Sequence, residues 1–501
     1  MTMNLALPMP LFAVVSTWLT PPWLIGVGAG LGLVVLAICY GIVLLVSRKA
    51  ATFLNDSLRE GFLMPVLVLA AIIAVGAAAA SPAVNVRDLF RSLIRLPSAG
   101  QLDFATTIPG NGSVKIDLDV RPAELKTLEI KADQDLTLSL VEYGIIKEAK
   151  ESRIAVVRNE PFKWDRSQSE NNLFYGDESV LSAKNLSGKP ATVRFTGATS
   201  EEYPEVAAVP ATAASLVGLV VLFLAFKLVC PKIAAIGLAT AREVMVQPLF
   251  QVVMALGAFA ILVFVFIPYN TFGEDVKMLK LSDVTLIKIL AIIVAVWTAS
   301  ESISSEIEGR TAMTVLSKPI GRRTFILGKF LGVTLPAALM FLFLGALFIF
   351  TVSYKVVYDA REGAQLEPIW QACYQPMISS VPGLFLAFLE TVMLAAVGVA
   401  LSTRLPMLAN LIVCCSIYVV GHLVPMLVIS RVGDNYGIIR FVGQLMAAVF
   451  PVLEHFDIEA TVATGNPVPA IYLWAALGYC ALYSTVAMLL ALVLFEDRDL
   501  A

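Results

Sequence analysis

Nine runs of mostly apolar residues most constrain how this 501-residue chain can fold. A helix needs about 20 such residues to cross the ~30 Å hydrocarbon core of a bilayer. Apolar residues make up 58% of the chain and charged residues only 15%, against about 25% charged residues in soluble proteins. We therefore expect an all-α polytopic membrane protein with nine transmembrane helices. The runs cover residues 24–46, 62–80, 211–230, 249–268, 284–300, 330–353, 379–401, 407–429 and 470–495.

The lysines and arginines of the short loops predict the orientation of these spans, because cytoplasmic loops carry an excess of both. One set of loops holds twelve of them: Arg48, Lys49, Arg59, Lys232, Arg242, Arg310, Lys318, Arg322, Arg323, Lys329, Arg404 and Arg498. The other set holds six: Lys277, Lys280, Lys355, Arg361, Arg431 and Arg440. We expect the N-terminus outside and the C-terminus in the cytoplasm, which agrees with an odd number of spans. The chain is expected in the inner (cytoplasmic) membrane of the cell.

A water-soluble module is predicted between the second and third spans, since nearly half of the charged residues lie in residues 82–209. Its expected location is extracytoplasmic. The chain then divides into two spans in 1–81, this module, a third span in 210–230 and a six-span core in 231–501. Alternation of apolar and polar residues, typical of β-strands, occurs in five segments of the module: 114–120, 127–132, 136–143, 153–158 and 191–196. Turn-rich connections between them favour an antiparallel β-sandwich-like domain.

Residues 86–96, before the first predicted strand, mix leucine, isoleucine and phenylalanine with three arginines. That composition is typical of a short helix lying on a membrane surface. The module contains no histidine and no spacing that would hold a metal ion. We interpret it as a structural or partner-docking domain, with substrate binding as the alternative.

The loop between the fifth and sixth runs, residues 301–329, carries the most informative pattern of the chain. Glu301 and Glu308 fall on one face of an expected helix, and Glu306 forms a favourable i,i+4 pair with Arg310. Pro319 then ends that helix, and a basic turn precedes the next span. An ordinary positively charged loop would explain the basic residues. It would not explain the ordered succession of an acidic helix, a threonine, Leu-Ser-Lys-Pro, arginine and Gly-Lys.

This loop closely resembles that of the type-2 ABC permeases, which include bacterial efflux permeases and permeases linked to gliding motility and nitrous-oxide-reductase maturation. The residues that meet the family's loop pattern are Glu306, Glu308, Gly309, Arg310, Thr311, Leu316, Pro319, Arg322, Gly328 and Lys329. The helix at 232–247, the six spans that follow it and the end of the chain (Phe495, Arg498, Asp499, Leu500) are similar too. The N-terminal 230 residues depart from the plain six-span form.

The resemblance implies the permease subunit of an ABC transporter, an exporter that works with a second permease subunit, either identical or related. ATP would be bound by a separate ATPase subunit that docks on the 301–329 loop and the 232–247 helix. By resemblance, the ATPase-coupling residues are Glu301, Glu306, Glu308, Arg310, Lys318 and Arg322. Gly328-Lys329 lacks the earlier glycine and the following serine or threonine of a P-loop. No cofactor, metal or catalytic residue is therefore expected on this chain, which is not predicted to be an enzyme.

Two polar residues inside the predicted spans, Glu390 and His422, are candidates for a substrate path, because such residues are costly in lipid. Hydrogen bonding between helices is the alternative interpretation. Lys288 is expected to extend its ammonium group to the nearby membrane surface. Two other functions stay open: a mechanical machine that acts on an extracytoplasmic partner without moving solute, and a secondary transporter. The net charge of −3 gives no reason to expect a nucleic-acid partner; membrane lipid is the expected surrounding.

Overall fold

The computed structural model describes residues 11–496 with gaps at 60, 99, 101, 119–123, 143–144, 147–152, 159, 166–179, 186, 200–201, 270–273, 309–320, 430–440, 442–444, 447–448 and 459–467. The chain forms two compact units. One unit is Asn85–Ala207, and the other combines Met1–Val84 with Ala208–Ala501.

Helices dominate the larger unit, and among the α-helices that the structure describes only α4 belongs to the smaller one. The helices are α1 (Leu11–Val46), α2 (Arg48–Arg59), α3 (Leu63–Ala80), α4 (Val86–Arg95), α5 (Ala208–Val229), α6 (Pro231–Val246), α7 (Pro248–Phe264), α8 (Asp275–Glu308), α9 (Arg322–Glu362), α10 (Trp370–Ser379), α11 (Val381–Ser402), α12 (Met407–Ile429) and α13 (Ala470–Glu496). Short 3-10 turns occupy Ser81–Ala83, Leu96–Ser98, Pro204–Ala207 and Leu453–Phe456. Each of the nine apolar runs lies on one or more of these helices.

Six helical segments of the described chain are long and apolar enough to cross a membrane: Thr17–Val46, Leu63–Ala83, Pro204–Val229, Arg322–Glu362, Trp370–Ser402 and Ala470–Glu496. The pair α6 and α7, bent by 65°, makes a seventh if it is one broken span. The two remaining runs lie on α8, which begins with several charged residues, and on α12. The polytopic membrane fold is confirmed, while the count of nine spans stays a prediction.

Prolines set the boundaries of the bent pair. Pro231 begins α6 and Pro248 begins α7, positions where the missing backbone N–H of proline costs no helical hydrogen bond. Between the two helices, Gln247 has an extended backbone with φ −62° and ψ 138°, as expected for the residue before a proline. The helix expected at 232–247 corresponds to α6, and Pro248 begins the next helix directly after it.

The smaller unit contains nine described strands in two antiparallel sheets. They are β1 (Leu102–Ile108), β2 (Ser113–Asp117), β3 (Leu125–Ala132), β4 (Leu136–Glu142), β5 (Ile145–Ile146), β6 (Arg153–Val156), β7 (Phe162–Asp165), β8 (Val180–Asn185) and β9 (Ala191–Thr199). The first sheet has the order β1-β9-β3-β7, and the second has the order β2-β8-β4-β5, with β6 also paired to β4. The five predicted strands are confirmed, and β1, β5, β7 and β8 were not predicted.

Both sheets contribute to a single apolar core. Ile130 and Phe195 of the first sheet and Leu138 and Leu181 of the second are fully buried, and all four belong to one cluster. This arrangement confirms the sandwich-like β-domain. The helix predicted at residues 86–96 is confirmed as α4.

Candidate functional site

The two ends of the 301–329 loop are held by the same apolar core. Ile303 near the end of α8 and Phe325 near the start of α9 are each 1% exposed, and they share a cluster with Phe495 of α13. Of the predicted coupling residues, Arg310 and Lys318 lie outside the described residues, as do the side chains of Glu306 and Glu308.

Arg322 anchors the exit of the loop to the end of α13. Its Nη1 donates a hydrogen bond to the carbonyl oxygen of Glu496 at 3.2 Å, and Arg404 Nε donates to the carbonyl of Leu494 at 2.9 Å. Cationic side chains are favourable there, because the last carbonyls of a helix lack backbone partners. The rings of Phe325 and Phe495 stack with centroids 5.8 Å apart. Arg322 of the loop pattern and Phe495 of the chain-end pattern, which resembled the family separately in sequence, therefore lie close together in space.

The side chain of Glu301 interacts with its own helix, α8. Its Oε2 accepts a hydrogen bond from Trp297 Nε1 at 3.0 Å, one turn earlier on α8. The side chain is half-buried, so in this conformation it is only partly available to another subunit. The structure thus positions Glu301 and Arg322 at opposite ends of the loop.

Three glycines let α6 lie directly against the start of α9. A Cβ atom on Gly332 would come within 2.5 Å of Thr240 Cβ, and one on Gly328 within 2.7 Å of Ile236 Cβ. On the α6 side, a Cβ on Gly237 would come within 2.7 Å of the α9 side chain that faces it. Small residues four positions apart allow this kind of close helix approach in membranes. The predicted lead-in helix is therefore packed onto the segment that follows the loop.

Glu390 joins three helices deep inside the bundle. Its Oε2 lies 3.5 Å from Lys288 Nζ on α8, and its Oε1 lies 3.6 Å from His422 Nε2 on α12. Glu390 is 0% exposed, Lys288 4% and the His422 side chain 25%. The structure thus brings the two predicted path residues together. The expectation that Lys288 reaches the surface is wrong, because the lysine turns inward to a carboxylate.

The hydrogen bond of His422 Nδ1 determines which form of the imidazole can donate a hydrogen bond to Glu390. Nδ1 lies 3.1 Å from the carbonyl oxygen of Tyr418. A carbonyl only accepts, so Nδ1 carries the proton. Nε2 can then donate toward Glu390 only when the ring is an imidazolium, and a neutral ring turns a lone pair toward the carboxylate.

A second polar contact between the same three helices lies near the loop. Asn410 Nδ2 donates to Ser300 Oγ at 2.7 Å and to the carbonyl of Gly398 at 3.0 Å, and all of these atoms are buried. Ser300 lies 12 positions after Lys288 on α8, about 18 Å along the helix. We did not predict Asn410 or Ser300. The sequence feature that could have identified Asn410 is a polar amide side chain within the apolar run 407–429.

Other buried charges lie toward the opposite end of α8. Lys280 Nζ donates to Ser379 Oγ at 2.9 Å. Asp283 is 0% exposed, and its carboxylate oxygens have no hydrogen-bond partner among the described residues. A cavity of about 10 Å³ lies between Lys280 and Lys288, room for about one water molecule.

The outer face of the first β-sheet carries paired charges. Arg194 donates from Nε and Nη2 to both carboxylate oxygens of Asp103, at 2.9 and 2.7 Å. This hydrogen bonding lowers the pKa of Asp103, and the hydrogen bond from Lys131 lowers the pKa of Glu129. Asp103 and Glu129 also line a groove of about 780 Å³. Docking and substrate binding both stay predictions for this unit.

The fold and this site define a multi-pass membrane protein in which a buried ion pair joins two of the helices. Residues 268–500 match the family model described as "ABC-2 family transporter protein". This part of the chain belongs to the ABC-2 transporter permeases, which are membrane transport subunits. The match begins after α7 and does not include the β-domain. No curated protein matches the sequence significantly.

Proposed function

We propose that the chain is the membrane subunit of an ABC exporter driven by a separate ATPase, which docks on the 301–329 loop and the 232–247 helix. The observation that carries the proposal is the glycine junction between α6 and α9, beside a loop whose two ends share one core. A docking partner that tilts α6 would move the start of α9 with it, since the two helices are in direct contact along this junction. Nucleotide-driven motion would thus enter the membrane here.

The other features of the proposal follow from the sequence. The N-terminus and the β-domain are outside, the loop is cytoplasmic, and the protein resides in the inner membrane. ATP is bound by the partner, and two permease subunits, identical or related, assemble with two ATPase subunits. The family match to residues 268–500 supports the ATPase partner and the pairing of permease subunits.

We propose that Glu390 and His422 line the solute path when that path is open. The Glu390 carboxylate is enclosed between α8, α11 and α12, so solute reaches it only when these helices separate. In the enclosed conformation the Lys288–Glu390 pair holds the helices together. We propose that the helices separate at this pair during transport.

Charge reversal of the loop tests the docking proposal. Glu306→Lys with Glu308→Lys should abolish co-purification of a co-expressed ABC ATPase, because loss of a partner in a charged contact commonly costs about 2–5 kcal/mol. The matched control is Glu362→Lys with Glu367→Lys, which reverses two exposed carboxylates on the predicted outer side of the membrane. The control should bind the ATPase normally.

Liposomes containing the purified complex separate the remaining functions. An exporter moves solute in an ATP-dependent manner, and the reversed loop should stop this movement. The alternative is a mechanical machine, and the separately packed β-domain is the observation that supports it. Such a machine would hydrolyse ATP while no solute crosses the membrane. Normal ATPase binding and transport by the reversed loop would show that the docking assignment is wrong.

A further inference from the structure

One face of α4 is exposed and combines basic with large apolar side chains. Arg87, Phe90, Arg91 and Ile94 follow one another at the i, i+3, i+4 and i+7 positions, and all four are exposed. Phe90 is 57% and Ile94 65% exposed. This spacing places the four side chains on one stripe of the helix.

The opposite side of α4 is packed within the β-domain unit. Leu89 is only 4% exposed, and α4 contacts the 3-10 turn Pro204–Ala207 of the same unit. The helix is therefore fixed in its rotation about its own axis. The packing of α4 within its unit therefore determines which of its side chains are exposed.

The arginines of this stripe are available to an external anion. Arg87 and Arg91 form no ion pair or side-chain hydrogen bond within the part of the chain that the structure describes. The nearby carboxylate of Asp88 accepts a hydrogen bond from Asn85 Nδ2 at 2.6 Å. A helix that faces only water carries polar residues on its exposed face, whereas Phe90 and Ile94 need an apolar surrounding.

The short connection between the preceding candidate span and α4 limits where α4 can find an apolar surrounding. Val86 follows the candidate span Leu63–Ala83 after only two residues. A connection of this length reaches at most about 10 Å, so α4 begins near the level of the lipid headgroups. Anionic lipids supply phosphates for guanidinium groups, and the adjacent acyl chains accept apolar side chains.

We propose that α4 binds the surface of an anionic lipid bilayer, with Arg87 and Arg91 on headgroup phosphates and Phe90 and Ile94 among the upper acyl chains. This contact holds the β-domain at the membrane surface. It is independent of the ATPase and of the transported solute.

Hydrogen exchange of the full-length protein tests the proposal. The protein is placed in nanodiscs of phosphatidylcholine alone and of phosphatidylcholine with phosphatidylglycerol, and exchange of the α4 amides is followed by mass spectrometry. Each arginine near an anionic surface strengthens binding about fivefold. With two arginines, the α4 amides should exchange roughly tenfold or more slowly with phosphatidylglycerol than without it. Arg87→Gln with Arg91→Gln should remove this difference.

The matched control is Lys115→Gln with Lys184→Gln, which removes the same charge from exposed positions of β2 and β8 and should retain the difference. Phe90→Ser with Ile94→Ser should speed the exchange in both lipids. Exchange of β3 and β9 in the same samples reports whether each variant is folded. Equal α4 exchange in the two lipids would contradict the proposal. Slow exchange in detergent without anionic lipid would show that protein covers the stripe, and would also overturn it.

Discussion

Glu390 illustrates why a buried charge depends on its partners. Its carboxylate is fully buried, and the ammonium of Lys288 lies 3.5 Å away. Removing one member of a buried ion pair commonly costs about 3–5 kcal/mol, because the other charge is left uncompensated. Glu390→Gln should therefore lower the free energy of unfolding in detergent by about that amount.

Two controls make this measurement specific. Glu367→Gln removes an exposed carboxylate 3.7 Å from Arg361 and should change stability by about 0–1 kcal/mol. The double change Lys288→Met with Glu390→Leu should recover much of the loss, since apolar replacements often substitute for a whole buried pair. An unchanged Glu390→Gln variant would mean that the carboxylate is solvated, and would favour an open path at this position.

Glu390, Lys288 and His422 lie together in the structure. The sequence identified Glu390 and His422 as candidates, but it did not predict how the three side chains are arranged. Glu390 and His422 each stood out as polar residues in apolar runs. Lys288 was placed near a span end, and so we expected it at the surface. Which side chains face each other depends on the rotation and crossing of α8, α11 and α12, and the periodicity of one helix does not contain that information.

At the scale of elements, strands were predicted where the alternation of side chains was clear, as in β2 and β3. The pattern is obscured in β8, because Ser182 and Asn185 are polar but buried. Asn185 Nδ2 donates to the carbonyls of Pro109 and Lys189, which satisfies the amide inside the core. β7 has only four residues, too few for a convincing alternation.

The glycine junction gives the prediction at this scale. Gly332→Ala should lower the free energy of unfolding by about 1–3 kcal/mol, as overpacked contacts do, because the new methyl group would meet Thr240 on α6. It should also lower the amount of solute moved per ATP hydrolysed. Gly478→Ala on α13, where no described atom other than the adjoining residues and the helix's own backbone lies within 4 Å of the added Cβ, should be neutral or slightly stabilising. Equal coupling in both variants would show that α6 and α9 do not move as one body.

At the scale of the whole molecule, the orientation rests on the distribution of lysine and arginine. Lys184→Cys, at an exposed position of β8, should react with a membrane-impermeant maleimide from outside intact cells. Arg323→Cys, exposed near the start of α9, should react only after permeabilisation. Both changes are made in a background without the six native cysteines. The opposite labelling pattern would reverse the topology and place the β-domain in the cytoplasm.

The length of α9 has a mechanical consequence. This helix is assigned as one segment of 41 residues, with Pro336 in its interior, and is about 60 Å long, roughly twice the ~30 Å hydrocarbon thickness. If a docked partner tilts its first residues, as proposed, a helix of this length would act as a lever arm longer than the bilayer core is thick. A rotation of about 10° pivoting at its first residues would sweep its far end through about 10 Å. A small stroke at the loop would thus be amplified, by length alone, into a displacement as wide as a helix.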